Sequence, residues 1–369
     1  MNQLFRWDQT GLFLLALAAG ILPFAVPEVC AAALREGLTL CSGPLLLSLF
    51  PFLVVSRLLI QCPESDLLAL PFRLAAWGIG IRTPCAARVL CIGFLGGFAP
   101  AASAAAQAVR TGQLTAEEAD ALLPACICSG PSFVVLTVGQ SLLGSAELGV
   151  LLFASQITAN YLTAALLNRF AGVRSVKPGS AAPASPAPPR LDEILADAAI
   201  TYCKLCGFIL FFRMLAAGAG ALLPAGVGTL CSILLEVCSG CDLASRTGRW
   251  GSLLCCAALS VQGLSVLLQV RTICPPEMTL RPLYRARMLH LPLSLALFYL
   301  LLPGGEADVF STLPARVLLM RRVPPDCALL VFAVCCMAAC TLRSGIRQVE
   351  QKQMARNAGG CCINSKTLL

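Results

Sequence analysis

Apolar segments recur along nearly the whole of this 369-residue chain. A helix that crosses a membrane needs about 20 mainly apolar residues, and runs such as Gly11–Val26, Leu148–Leu167 and Thr201–Leu223 approach or reach that length. Only 12% of the residues are charged, whereas soluble domains carry about 25%. So little polar surface cannot cover a soluble globule of this size. The sequence therefore predicts an all-α, polytopic membrane protein whose main surroundings are the lipid bilayer.

The order of apolar and polar stretches divides the chain into six parts. A Pro-, Ala- and Ser-rich stretch over 171–190 has three basic residues and no acid. This composition predicts a flexible linker on the cytoplasmic side. The other parts are an N-terminal span (1–30), a first repeat (31–170), a second repeat (191–303), a C-terminal span (304–342) and a basic cytoplasmic tail (343–369).

The proposed repeats share short strings in the same order. Phe52–Leu59, which contains Arg57, resembles Phe208–Leu215, which contains Arg213. Each string is followed by a small-residue segment with a polar kink and then by a second broken element. The kinked and broken segments are Gly96–Ser103 and Cys128–Val134 in the first half, and Glu236–Ser245 and Ser260–Val266 in the second.

Broken apolar segments at matching places in two halves are typical of transporter binding sites at the middle of the membrane. Pro131 cannot continue a regular helix, and the freed backbone groups must be satisfied by protein or by water. The sequence thus predicts a cavity for a polar or anionic small solute, although any single residue of these segments could instead serve helix packing. The candidate solute-binding residues are Gly97, Pro100, Ser103, Ser129, Gly130, Pro131, Ser132, Gln140, Ser239, Gly240, Asp242, Gln262, Gly263, Ser265 and Gln269.

Three ionisable residues inside apolar sequence are candidates for function, because such groups are costly in a membrane. Arg57 is expected to reach the headgroups from the end of its segment, with a functional role as the alternative. Arg213 lies deeper, and Glu236 is expected to pair with it or to lie on a path for protons or cations. His290, the only histidine, is expected at a membrane edge.

Enzyme chemistry is not expected of this chain. A single histidine gives no support for a Ser-His-Asp triad and excludes a multi-histidine metal site. No phosphate-binding loop is present, so neither a nucleotide nor another cofactor is expected. No basic stretch is interleaved with aromatic residues, so nucleic acid is not an expected partner. The 21 cysteines are interpreted mainly as small buried apolar residues.

One local signal predicts where a helix begins. Thr115 and Glu118 have the spacing of a capping box, in which the side chain of each residue accepts a hydrogen bond from the backbone N–H of the other. A short surface helix is therefore expected to begin directly after Thr115.

At the broken segments and upstream of them, the sequence resembles the YlbJ-type sporulation integral membrane proteins, which carry paired nucleoside-recognition (Gate) domains. This resemblance implies a transporter-like fold of two Gate-type repeats with broken or re-entrant helices. It also implies a place in the bacterial cell membrane during sporulation, a role in making the spore cortex, and other sporulation membrane proteins as partners. The strings that carry the resemblance are Arg35–Pro44, Ser48–Phe52, Ser129–Phe133 and Gly263–Gln269.

The chain departs from this family at three positions. Ser103 stands where the family pattern has Lys, Gln262 where it has Gly, and Leu267 where it has His. A role for a cation at the first of these positions, or for a proton-handling or metal-binding histidine at the last, is therefore not expected.

Two other functions remain open at this stage. One is a general secondary transporter for a nucleoside-like solute, unrelated to sporulation. The other is a membrane scaffold that transports nothing.

Overall fold

The computed structural model describes residues 9–61, 65–171 and 191–302, and every regular element in these ranges is a helix. The predicted C-terminal span over 304–342, the tail over 343–369 and the linker after Ala171 lie outside the described residues.

The N-terminal part contains a sharp bend where α1 meets α2. The segments Leu15–Ala25 and Pro27–Ser42 are inclined by 108° to each other. Pro27 begins the second segment, and a proline disfavours helical conformation in the residue before it. Pro44 begins the helix that follows Ser42, whereas Pro51 lies inside that helix. The helices of this part are α1 (Gln9–Ala25), α2 (Pro27–Ser42), α3 (Pro44–Gln61), α4 (Ser65–Leu68) and α5 (Leu70–Gly78).

The rest of the first half contains two interrupted helices followed by a long one. The predicted capping box at Thr115 is confirmed, but the helix that it begins is mostly buried and does not lie on the surface. Its hydroxyl oxygen accepts a bond from the Glu118 N–H at 3.1 Å, and the Glu118 carboxylate accepts one from the Thr115 N–H at 3.1 Å. The elements are α6 (Pro84–Gly96), α7 (Phe98–Arg110), α8 (Ala116–Cys126), a π-helix (Ser132–Leu142) and α9 (Ala146–Ala171).

The second half repeats this order: a first helix, two interrupted helices and a final long helix. Its two interruptions lie at Glu236 and at Gln262, inside the predicted segments Glu236–Ser245 and Ser260–Val266. The elements are α10 (Leu191–Leu222), α11 (Ala225–Leu235), α12 (Val237–Ser245), a 3-10 turn (Gly248–Trp250), α13 (Gly251–Val261), α14 (Gly263–Ile273) and α15 (Arg281–Leu301).

Equivalent elements of the two halves pack against one another. The first helices, α3 and α10, are in contact, and so are the final helices, α9 and α15. Helix α7 packs against α14, and in the reciprocal way α12 packs against the π-helix. The halves therefore interlock around a shared centre.

Three helical segments are long and apolar enough to cross a membrane: Ala146–Ala171, Leu191–Leu222 and Gly248–Ile273. The last of them comprises the 3-10 turn, α13 and α14 and includes the break at Gln262. A fourth results if the bent pair of α1 and α2 counts as one span. Helix α7, which is rich in alanine, is buried along most of its length, as its small residues predict. The structure is thus that of a helical membrane protein with a closely packed interior.

Candidate functional site

Four helix interruptions lie at the centre of the molecule, two from each half. They separate α6 from α7 at Gly97, α8 from the π-helix over 127–131, α11 from α12 at Glu236, and α13 from α14 at Gln262. All four fall within the segments that the sequence comparison of the halves identified as kinked or broken.

The two interruptions of the first half meet at a pair of glycines. Gly97 has φ 80° and ψ −163°, a backbone conformation that is essentially restricted to glycine. A Cβ atom on Gly97 would lie only 2.7 Å from the backbone nitrogen of Gly130. The Gly130 position is less crowded, because the nearest atom to a Cβ there would be the Gly96 carbonyl oxygen at 3.5 Å. Gly97 is thus required for this crossing.

The second half has an equivalent crossing. A Cβ atom on Gly263, whose φ is 67°, would lie 2.9 Å from the Glu236 nitrogen and from the Leu235 carbonyl oxygen. Gln262 precedes it with φ 63°, a left-handed conformation that is unfavourable for most residues with a side chain. Two interruptions therefore touch in each half.

A cavity of about 70 Å³ lies between the two crossings. Its walls come from residues at three of the interruptions and from α3, α10 and α14, so both halves contribute. The lining residues are Leu45, Leu49, Phe52, Leu95, Gly96, Phe98, Ser129, Gly130, Ser132, Phe133, Ile209, Glu236, Val237, Cys238, Val266 and Gln269.

Glu236 is the charged residue of this cavity. Its two carboxylate oxygens accept hydrogen bonds from the N–H groups of Cys238 at 2.8 Å and Ser239 at 2.7 Å, at the start of α12. The residue is only 2% exposed. The N-terminal end of a helix favours a negative charge, so the helix stabilises this buried carboxylate. The pairing of Glu236 with Arg213 expected from the sequence is therefore not observed.

Gln269 contributes a second acceptor. Its Nε2 atom donates to the Ser265 hydroxyl at 3.0 Å, while its Oε1 atom is buried with no hydrogen-bond partner. Gln262 likewise carries a buried Oε1 atom with no partner. A buried polar atom without a partner is costly, so a bound group that donates hydrogen bonds would be stabilised here.

The structure brings most of the predicted site residues to the centre but not all of them. Gln140 is exposed on the π-helix. Asp242 binds Arg246 at 2.8 Å on the same helix, and a Cβ atom on Gly240 would lie 2.8 Å from the Ile233 Cα, so Gly240 serves helix packing. The cavity is lined by Ser129, Gly130, Ser132, Glu236 and Gln269, while Gly97, Pro100, Pro131, Ser239, Gln262, Gly263 and Ser265 belong to the elements that form the crossings.

Arg57 is held inside the protein by polar side chains of both halves. The residue is 8% exposed, and its guanidinium forms an ion pair with Asp197 of α10 at 2.5 Å. It also donates to the hydroxyls of Ser103 and Thr201, each at 3.3 Å. Ser103 therefore lies beside Arg57, outside the lining of the central cavity.

Arg213, which the sequence comparison of the halves matches with Arg57, pairs with Glu36 of α2 at 2.6 Å. Each half thus carries an arginine whose carboxylate partner belongs to the other half. This reciprocal pairing joins α3 to α10 and α10 to α2.

Arg287 and His290 form a buried polar cluster that sequence reasoning missed. The Arg287 guanidinium donates to the carbonyl oxygens of Ile127 at 2.7 Å and Ser260 at 3.3 Å, one beside an interruption of each half. His290 is fully buried, and its Nε2 atom lies 3.2 Å from the Gln156 carbonyl oxygen. Arg287, His290 and Ser294 share one face of α15 at helical spacing, which is the signal that could have revealed the cluster.

No model of a known protein family, no curated protein and no solved structure matches this chain. The geometry of the chain itself therefore carries the functional argument. Within the described ranges, no three His, Cys, Asp or Glu side chains are grouped so that they could hold a metal ion.

Proposed function

We propose that this chain is a membrane protein with a transporter-like, two-repeat Gate fold that binds and moves a small polar solute. The observation that carries the proposal is the convergence of helix interruptions from both halves on one central cavity. Interrupted helices at a repeat interface expose backbone groups that can bind a solute, and movement of one repeat against the other can open such a site to either side.

The chemistry of the cavity favours a solute that donates hydrogen bonds. The Glu236 carboxylate and the unpartnered Gln269 Oε1 atom are acceptors, and the Ser129 and Ser132 hydroxyls can also accept. These groups suit an N–H or O–H group, or a cation. They are less suited to the anionic solute that the sequence also left open.

The size of the cavity limits the solute. A water molecule occupies about 30 Å³ of liquid, and pockets for drug-sized ligands measure about 300–1,000 Å³. A cavity of about 70 Å³ therefore admits an ion or a molecule of a few heavy atoms in this conformation. A nucleoside would require the cavity to expand, so the structure does not favour the nucleoside-transporter alternative.

Solute entry into liposomes tests this proposal. The purified full chain is reconstituted, and entry of urea, glycerol and methylammonium is followed by stopped-flow light scattering, with uridine as a larger comparison. We expect at least one of the three small probes to enter faster than into empty liposomes. Gln269→Leu removes a cavity acceptor and should slow this entry roughly tenfold, because a lost hydrogen bond of about 1.4 kcal/mol corresponds to that factor.

Gln140→Leu is the matched control, because it makes the same substitution at an exposed position. It should leave entry unchanged. Equal rates in liposomes with and without the protein, or equal effects of the two substitutions, would refute the proposed solute site.

The proposed place of this activity is spore formation, which rests on the resemblance to YlbJ-type proteins. Deletion in the host should impair the spores, and complementation with the Gln140→Leu chain should restore them whereas the Gln269→Leu chain should not. Constant production during vegetative growth, together with normal spores after deletion, would reject this role.

A further inference from the structure

A second cavity, of about 150 Å³, lies away from the central one. It is enclosed by residues near the ends of α3, α7 and α14 and in the first half of α10. Its lining is dominated by polar and charged side chains and consists of Arg57, Ser103, Ala106, Arg110, Asp197, Ile200, Thr201, Lys204, Thr272 and Ile273.

The charge of this cavity is unbalanced. Arg57, Arg110 and Lys204 are basic, and Asp197 is the one acidic residue of the lining. Arg110 and Lys204 are exposed, whereas the Arg57 side chain is only 9% exposed. A buried cation with two more at the rim creates a positive potential that a single carboxylate, itself 61% exposed, does not neutralise.

Arg57 is held so that it can bind a further group. The Arg57 guanidinium has five N–H donors, and its hydrogen bonds to Ser103, Asp197 and Thr201 use three of them. Two of these bonds are long, at 3.3 Å. The Ser103 and Thr201 hydroxyls can themselves donate to an anion. The site therefore combines a buried guanidinium, two hydroxyls and two rim cations around a cavity with space for a tetrahedral oxyanion.

We propose that this second cavity binds a phosphate group, either free or as part of an anionic lipid headgroup. Arginine presents paired donors that match phosphate geometry, and lysine binds phosphate as a point charge. The cavity lies near the N-terminal end of α10. This end follows the linker over 171–190, which the sequence predicts to be cytoplasmic. The cytoplasmic leaflet is rich in anionic lipids, and basic pockets between membrane helices on that side bind their headgroups.

The binding is tested on the purified full chain in neutral detergent. One arm adds inorganic phosphate, with chloride at matched ionic strength as the reference, and measures affinity by calorimetry. The other arm adds phosphatidylglycerol or phosphatidylcholine and measures retained lipid by native mass spectrometry. We expect binding of phosphate, or preferential retention of phosphatidylglycerol, and the arm that responds identifies the source of the group.

The double variant Arg110→Gln/Lys204→Gln removes the rim cations without touching the buried Arg57. It should weaken the binding by about tenfold or more, because two of the three cations that attract the anion are lost. Arg73→Gln/Arg249→Gln is the matched control, since both arginines are exposed and lie outside the cavity lining. It should bind as the unmodified chain does.

Two outcomes would overturn the proposal. One is that neither inorganic phosphate nor phosphatidylglycerol binds more strongly than its reference. The other is that the rim and control variants bind equally well. Neither outcome depends on whether the central cavity transports a solute, so this proposal and the proposed function can fail separately.

Discussion

The crossing of Gly97 with Gly130 gives a prediction whose size follows from the geometry. Replacing Gly97 with alanine adds one carbon atom, which would lie 2.7 Å from the Gly130 nitrogen, 3.0 Å from the Gly130 Cα and 3.2 Å from the Cys128 carbonyl oxygen. All three are backbone atoms, so no side-chain rotation can relieve the contact. The two interruptions of the first half must separate, or the chain must lose this conformation.

Two contributions add to the loss of stability. The conformation with φ 80° and ψ −163° costs a residue other than glycine about 1–3 kcal/mol. Forcing an extra carbon into a closely packed interior costs about 1–3 kcal/mol more. We therefore expect Gly97→Ala to lower the free energy of unfolding by about 2–6 kcal/mol.

Gly144→Ala separates the two contributions. Gly144 has φ 75°, close to that of Gly97, but it is exposed and a Cβ atom there would have no heavy atom within 4 Å. This variant should lose only about 1–2 kcal/mol, the cost of a left-handed residue. Both variants are unfolded by titration with SDS in mixed micelles, with tryptophan fluorescence as the signal.

The comparison between the variants decides whether the close crossing exists. If Gly97→Ala and Gly144→Ala lower the unfolding free energy equally, the added carbon meets no backbone and the crossing is refuted. A larger loss at Gly97 also predicts slower solute entry, because Gly130 lines the central cavity.

Three further predictions concern single contacts. Thr115→Ala removes the helix cap and should lower stability by about 1 kcal/mol in the same SDS titration; no change would contradict the capping role. Asp197→Asn leaves the buried Arg57 without its carboxylate and should lower stability by about 1–3 kcal/mol, and a double-mutant cycle with Arg57→Gln should show coupling between the two. Arg287→Lys keeps the positive charge. The lysine ammonium, however, lacks the planar set of donors with which the Arg287 guanidinium binds carbonyl oxygens of both halves. It should lower stability by about 1–3 kcal/mol, whereas an unchanged unfolding midpoint would show that the bridge is dispensable.

Local signals in the sequence are sufficient to predict which segments contain the helix interruptions. Gly-, Pro- and Ser-rich strings disfavour helix by their own backbone chemistry, so the segments around Gly97 and Pro131 could be located without knowledge of the fold. The same is true of the capping box at Thr115. The helical class followed from the low charge and the long apolar runs.

The contacts between distant segments could not be predicted in this way. Arg57 and Asp197 are 140 residues apart, and nothing near either residue specifies the other. Their contact depends on how α3 packs against α10. The expected pair of Glu236 with Arg213 does not form, because the Glu236 carboxylate caps its own helix and Arg213 pairs with Glu36. Gln140 is a candidate by residue type alone, and its side chain is exposed.

The reciprocal ion pairs have a consequence for biosynthesis. As the chain leaves the ribosome, Arg57 precedes its counter-ion by 140 residues, and Glu36 precedes its own by 177. The Arg57 and Arg213 side chains are only 9% and 13% exposed, and a buried charge without its partner is unfavourable. We therefore expect the two arginines to become buried only after the second half has been synthesised. Neither half contains both members of either ion pair, so the early helices reach their final packing only together with the late ones.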